Sequence, residues 1–351
     1  MWFVVVACGG RTDPGGDPRV VVAVDRRVEL VSIVCRLAGY PEYSKPLVTP
    51  YARAADEHFA AFREHPAVAA AAALRREHGI GFNAPIGLAV YLDEHLAPRR
   101  PLTPPLPDLD ERWNEVDMDA FVFELQDFAR ASDFDRFFAS QVVYRGAVEG
   151  RVREALGGHR VIAWFDALFG PRPQAHFRVS PGLLSGDMAY SAQATAAGGT
   201  QEVMQVLYLP PPGDDGLPRL SEHTVYLLVH EFAHAYVNPI LDARGAVVLP
   251  AATPLHAQHA AIMTRQHYPS PAIMANESVV RALVALYGRE RGPTGADAFL
   301  ILDEQKRGFL WTRPLADALG ALPRPFDPDA VAATTRDVFA AWSVAHPPPQ
   351  P

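Results

Sequence analysis

Two histidines four residues apart enclose a glutamate in the run His230-Glu231-Phe232-Ala233-His234. Residues with this spacing lie one turn above each other in an α-helix, so both imidazoles can bind the same ion. Glu231 would sit beside that face, where its carboxylate can reach a water molecule on the metal without being a ligand. The run therefore predicts a zinc site with a general base next to it.

The residues around this run predict a buried helix over about 222–237. Ser221 can serve as its N-cap, and Asn238-Pro239 is expected to end it. The remaining positions are almost all apolar, so two histidines and a glutamate would be costly to bury without a partner. We therefore expect His230 and His234 to bind Zn2+ rather than to be ordinary histidines on a half-buried helix.

A catalytic zinc site needs a third protein ligand and an open position for water. A third histidine six residues after His234 is excluded, because Ile240 is at that position. A second helix is predicted over about 271–287, after Ser270-Pro271 and before Gly288, and Glu277 lies on its apolar face. A carboxylate among apolar residues needs a partner, so we predict that Glu277 is the third ligand. The alternatives are a salt bridge from Glu277 to Arg281, or a ligand among Asp242, His256, His259 and His267.

A His-Glu-x-x-His helix followed by a glutamate helix resembles the gluzincin group of zinc metallopeptidases, and Asn276-Glu277 is similar to the aminopeptidase form of the second motif. The chain is also similar to a family of uncharacterised, mostly bacterial secreted proteins filed as a domain of unknown function. The segments that carry this second resemblance are Arg27-Val28-Glu29-Leu30 through Arg36-Leu37-Ala38-Gly39, the helical pair from Leu74 to Leu92, His230 to Pro239, Asn276-Glu277 and Arg281-Ala282.

The gluzincin resemblance implies a mixed fold in which the edge strand of a sheet binds an extended peptide. That sheet would pack against the two metal helices. The stretch from Asp187 to Gln193, which contains Tyr190, is our candidate for the edge strand, and an interior strand of the same sheet is the alternative. Some gluzincins have an aspartate four residues after the ligand glutamate that orients a histidine, whereas here that residue is Arg281. The groups around the ligands must therefore be arranged differently.

Hydrophobic periodicity along the chain predicts an α+β, helix-rich fold. The gluzincin resemblance implies that this fold contains a zincin-like catalytic core in which a small mixed sheet packs on the two metal helices. Strands are expected at 175–179, 187–193 and 203–209, another helix at about 327–343, and few periodic features between 237 and about 270. The expected organisation is an export or lipoprotein-like segment with its linker at 1–19, a mainly helical part at 20–165, a zincin-like catalytic part at 166–345 and a disordered tail at 346–351.

A net charge of −8 argues against nucleic acid as the main partner. The two cysteines, Cys8 and Cys35, cannot form a disulfide framework. Small and apolar residues around Cys8 resemble a lipoprotein cleavage box, which predicts an exported, periplasmic or cell-surface protein with a possible membrane anchor through lipid on Cys8. The alternative is an apolar N-terminus with an incidental cysteine.

These features together predict a zinc-dependent metallopeptidase that hydrolyses peptides or proteins through metal-activated water, with Glu231 as the general base. A second hydrogen-bond donor commonly assists the developing oxyanion. The candidates for this donor are His267, Tyr268, Tyr190, His256 and His259. Two alternatives remain open, namely a surface-anchored zinc-binding lipoprotein without catalysis and a zinc hydrolase of a non-peptide amide or ester.

Overall fold

The computed structural model describes residues 17–45 and 49–347. The chain divides into two compact units, the first formed by Met1–Arg160 with Gln174–Ser221 and the second by Val161–Pro173 with Glu222–Pro351. The strand-bearing segment 174–221 belongs to the first unit. Cys8 and the lipoprotein segment lie outside the described residues. None of the helices described is both long and apolar enough to cross a bilayer.

The first unit contains seven helices and four strands among the described residues. They are β1 (Val20–Val22), α1 (Arg26–Leu37), α2 (Pro50–His58), α3 (Pro66–His78), α4 (Ala84–Val90), α5 (Met118–Ala131), α6 (Phe134–Ser140), α7 (Val142–Leu156), β2 (Ala175–Pro181), β3 (Tyr190–Thr195) and β4 (Gln201–Leu207). Helix α1 is buried along most of its length and packs against α3, α4 and α5. It is the centre of this unit's core.

The four strands form one mixed sheet in the order β1-β2-β4-β3. Strands β1, β2 and β4 run parallel, while β3 pairs antiparallel with β4, with Tyr190 opposite Val206. This small mixed sheet in a helix-rich chain confirms the predicted α+β class. The expected edge strand is at the edge, although it begins at Tyr190 rather than Asp187. The strands belong to the first unit and the predicted zinc helices to the second, so packing of the sheet on those helices stays a prediction.

A fully buried arginine joins α1 to the sheet. The Arg27 guanidinium donates to Asp25 at 2.7 Å and to Glu202 at 2.6 Å, and Asp25 also caps α1 by accepting from the Arg27 and Val28 amides. Removing one member of such a buried network would leave an uncompensated charge. Arg27, which lies in one of the segments that carry the family resemblance, therefore has a role in holding the fold together.

The second unit contains seven further helices. They are α8 (Val161–Phe169), α9 (Glu222–Asp242), α10 (Gly245–Arg265), α11 (Pro271–Arg291), α12 (Ala296–Lys306), α13 (Thr312–Gly320) and α14 (Pro328–Ala345). Every residue of helix α11 from Glu277 to Gly288 is buried, and the helix packs against α9, α10, α12 and α13. Any polar side chain on such a buried helix needs hydrogen-bond or charge partners among the neighbouring residues.

The expected end of α9 at residue 237 is wrong, because the helix continues through Pro239 to Asp242. Proline has no N–H, so the carbonyl of Ala235, four residues earlier, loses its helical partner. The Arg172 guanidinium donates to that carbonyl at 2.9 Å and lies over the Tyr236 ring. This external donor offsets the missing helical bond and lets the helix pass the proline.

The segment expected to lack periodicity is also a helix, α10. Two prolines inside it, Pro250 and Pro254, indicate breaks when the sequence is considered alone. The buried side chains nevertheless recur on one face at helical spacing: Val248, Ala251, Ala252, Leu255, His256 and Met263. His256 and His259 are therefore helical residues rather than loop residues.

Helix α11 begins as predicted, since the Ser270 hydroxyl accepts from the Ile273 amide at 3.3 Å. Gly288 does not end it. A Cβ at Gly288 would lie 2.6 Å from Cδ1 of Leu300 on α12, so this glycine permits close packing of two helices. The helix instead ends after Arg291.

Replacing Arg172 tests how α9 passes its proline. Arg172→Met leaves the buried Ala235 carbonyl without this donor and is expected to lower the free energy of unfolding by about 1–3 kcal/mol. In a Pro239→Ala background the restored N–H can bond Ala235, so the same change is expected to cost clearly less. Urea unfolding followed by circular dichroism gives both differences. An equal loss in the two backgrounds would contradict this account.

Candidate metal centre

Helix α9 presents His230 and His234 on one face, as residues four apart must be. Their imidazoles are each 18% exposed, and their Nε2 atoms lie 3.3 Å apart. If both Nε2 atoms were unprotonated and no cation were present, their two lone pairs would point at each other and repel. This arrangement requires a proton or a cation between the two nitrogens.

Helix α11 brings a carboxylate to the same point. Glu277 Oε2 lies 3.6 Å from His230 Nε2, and Oε1 lies 3.4 Å from His234 Nε2. Two ligands that each lie about 2.0–2.1 Å from a tetrahedral zinc ion are about 3.3 Å apart, and all three distances, which involve both oxygens of Glu277, are close to that spacing. Within the described residues, this is the one group of three such side chains whose ligand atoms lie within 4.8 Å of one another.

Glu231 follows His230 on α9 and is half-buried. No described residue forms a hydrogen bond or an ion pair with its carboxylate. Burial raises the pKa of Glu231 to about 7, with the Glu277 charge adding to the rise and His234 opposing it. A carboxylate with such a pKa can both accept and release a proton near neutral pH.

The pKa values of the other three groups show how strongly they interact. Burial lowers the pKa of His230 to about 3 although Glu277 opposes that shift. Burial also disfavours the charged form of His234, but its hydrogen bond to Glu277 and the charge of that carboxylate outweigh burial and raise its pKa to about 9. The two histidines in turn hold the pKa of Glu277 well below its usual range despite burial. The arrangement therefore favours positive charge between these side chains.

Two further residues fix the orientation of these groups: Asn238, whose role was not recognised in the sequence, and Arg281, whose contact with Glu277 was considered only as an alternative to metal binding. Asn238 Oδ1 lies 3.2 Å from His234 Nδ1, so an Nδ1–H donated to it leaves the Nε2 lone pair directed at the centre. Arg281 donates to Glu277 Oε2 at 3.0 Å. The possible salt bridge between Glu277 and Arg281 therefore exists and coexists with the ligand geometry. Asn238 is one turn beyond His234, a spacing that was hidden by the expected end of the helix.

Of the five candidate donors, Tyr268 is joined to this group, because its hydroxyl accepts from Arg281 Nη2 at 2.8 Å. His256 Nε2 lies 3.0 Å from the Tyr268 carbonyl, and His259 packs edge-on against Trp311. His267 is exposed and has a positive φ of 66°.

Tyr190 belongs to the first unit, where it is buried and stacked on Tyr43. Asp242, the remaining competing ligand, accepts from Asn276 at 3.1 Å. None of Asp242, His256, His259 and His267 belongs to the group of three ligand residues.

Residues 110–322, more than half of the chain, match a family described as a domain of unknown function (DUF4932). This range contains both α9 and α11 and therefore all the residues of the centre. No curated protein and no solved structure matches the chain.

The electrostatic coupling between His234 and Glu277 can be measured in chelator-treated protein. A histidine NMR titration should give His234 a pKa of about 9, and Glu277→Gln should bring it to the usual 6.5 or lower. The folded-state pKa is the higher one, so His234 stabilises the fold fully below pH 6.5 and loses that contribution as the pH rises through 9. Glu290→Gln, on the same helix but paired with Arg324, is the control and should leave the titration unchanged. An unshifted His234 in wild type would contradict the coupling.

Proposed function

Since the chain belongs to this family of unknown function, we propose from the geometry of its own side chains that it is a zinc-dependent hydrolase acting on peptide bonds. The observation that supports this proposal best is the convergence of His230, His234 and Glu277: the two Nε2 atoms lie 3.3 Å apart, 3.6 Å from Oε2 and 3.4 Å from Oε1 of Glu277 respectively. Two imidazoles and one carboxylate are a ligand set of catalytic zinc sites, which keep the fourth position for water.

The donor set favours zinc over the hard divalent cations. Magnesium and calcium prefer sites built from oxygen atoms, whereas two of these three ligand atoms are imidazole nitrogens. When bound here, zinc would lower the pKa of a bound water and polarise the substrate carbonyl. His230, His234 and Glu277 would hold it.

Glu231 is the residue we assign to proton transfer. Its carboxylate is half-buried beside the ligand face and has no hydrogen bond to the described residues, so it is available to take a proton from the attacking water. The same carboxylate would then pass that proton to the leaving amine. A zinc site with a purely structural role has no need of an unengaged carboxylate at this position, which favours a hydrolase over a non-catalytic zinc-binding lipoprotein.

Tyr268 is our candidate for the second donor. Because its oxygen accepts from Arg281, its own hydroxyl proton remains available to donate to a carbonyl oxygen as negative charge develops there. Burial raises the pKa of Tyr268, which keeps the hydroxyl protonated. Tyr268 and Glu277 accept hydrogen bonds from the same nitrogen of Arg281, so among the five candidate donors the geometry favours Tyr268.

The choice of peptide bonds rests on the resemblance of the two motifs to those of gluzincins. The same residues would also hydrolyse a non-peptide amide or ester, because water, base and carbonyl play the same parts in each reaction. Cleavage of simple esters or acyl amides with no cleavage of peptides would favour that second candidate.

Zinc binding is tested by elemental analysis of the purified protein. We expect about one zinc per chain in wild type and little in His234→Ala, because two ligands hold the ion far more weakly than three. His267→Ala removes an exposed histidine of the same unit and should keep the wild-type content. Equal zinc in wild type and His234→Ala would refute the assignment.

Catalysis is tested with a peptide library read by mass spectrometry. Glu231→Gln keeps the size of the side chain but cannot accept a proton, so the cleavage rate is expected to fall by roughly 10²–10⁴-fold. Zinc content should stay at the wild-type level, since Glu231 is not a ligand. Cleavage that survives this change would show that the base is another residue.

A further inference from the structure

Arg281 is a buried cation in a stretch of α11 whose other residues are mostly apolar. It is 4% exposed and lies 4.4 Å from the centroid of the Phe309 ring. Its Nη2 donates to Glu277 Oε2 at 3.0 Å and to the Tyr268 hydroxyl at 2.8 Å, while its Nη1 donates to Glu304 on α12. One guanidinium therefore joins a predicted ligand, a predicted donor and a carboxylate outside the centre.

The contact to Glu277 decides where both carboxylate oxygens point. Oε2 accepts from Arg281 and lies 3.6 Å from His230, which leaves Oε1 to face His234 at 3.4 Å. A glutamate side chain has three rotatable bonds, so without this contact its carboxylate has other orientations to adopt. Arg281 and Glu277 are four residues apart on one helix, and the geometry is therefore set within α11 itself.

Glu304 offsets the positive charge that Arg281 brings next to the proposed metal site. A guanidinium beside Glu277 repels a divalent cation bound to the same carboxylate. The Glu304 carboxylate, 16% exposed and bonded to the other arm of Arg281, offsets that charge. The pair Arg281–Glu304 therefore orients the Glu277 carboxylate while carrying no net charge.

We infer that Arg281 is a positioning residue that holds Glu277 in its metal-binding orientation, with Glu304 as the partner that neutralises it. This inference rests on the zinc site proposed above. It gives Arg281 the place that an aspartate has in some gluzincins, but acting on the ligand carboxylate rather than on a histidine.

The test measures zinc affinity by competition with a chromophoric chelator, together with the visible spectrum of the cobalt-substituted protein. Arg281→Met keeps the apolar stem and removes the donors, and should weaken zinc binding by roughly 10–100-fold, the usual effect of losing a group that orients a ligand. The cobalt spectrum should change as well, because it reports the geometry of the ligands. Zinc affinity and cobalt spectrum both unchanged in folded Arg281→Met would overturn the inference.

Arg289→Met is the matched control. Arg289 lies two turns further along α11 and also joins two carboxylates, Asp297 and Asp317, but it does not touch Glu277. Its loss should leave zinc affinity and the cobalt spectrum as in wild type. A decrease in zinc affinity equal to that of Arg281→Met would mean that any broken ion pair on α11 is enough, and would overturn the specific role.

Two milder variants keep the test decisive if Arg281→Met does not fold. Glu304→Gln leaves the contact to Glu277 and removes one negative charge, so zinc affinity should fall several-fold while the cobalt spectrum stays unchanged. Arg281→Lys restores a cation without the two-armed fork and should give an intermediate zinc affinity. Wild-type affinity in both variants would overturn the inference.

The outcomes separate this inference from the proposed function. A wild-type protein that binds no zinc refutes both. Zinc binding without hydrolysis of any substrate refutes the hydrolase alone, because the affinity and the cobalt spectrum still report on Arg281. Hydrolysis by a zinc protein whose affinity is indifferent to Arg281 refutes the positioning role alone.

Discussion

A carboxylate in the buried stretch of a central helix constrains how the neighbouring helices of the second unit can pack. Glu277 is on α11, which packs against four other helices, and burying its charge without partners would cost several kcal/mol. Two imidazoles from α9 and one guanidinium from α11 itself meet that requirement. The packing of α9 against α11 therefore brings the polar groups together, and the polar groups in turn restrict how these two helices can pack.

The length of α9 matters as much as its position. His234 is oriented by Asn238, which is one turn later and has helical geometry only because the helix continues to Asp242. That continuation passes through a proline, and Arg172 bonds the carbonyl that the proline leaves free. An arginine from the segment after α8 thus supports the orientation of His234 through the backbone of α9.

The candidate ligands could be predicted from the sequence, because the spacing of His230 and His234 and the apolar surroundings of Glu277 are each signals within a single periodic element. The contact of Asn238 with His234 was missed because it depends on where α9 ends. The helix α10 was missed because its two prolines outweighed its apolar periodicity. Glu304 carries no local signal, and the sequence could not distinguish Tyr268 from the other four candidate donors, since both residues reach Arg281 only through the packing of α12 and the turn before α11.

The charges around the centre also match a divalent cation. Glu231, Glu277 and Glu304 carry three negative charges when ionised, and Arg281 carries one positive charge, so these four groups together leave two negative charges beside His230 and His234. Without Arg281, three carboxylates would repel one another in a poorly solvated site. With Arg281 but without Glu304, the guanidinium would compete with the metal for Glu277. The four charged residues therefore form one set, in which the arginine allows three carboxylates to share a site and, in the proposed metal site, the outer carboxylate would keep that arginine from displacing the cation.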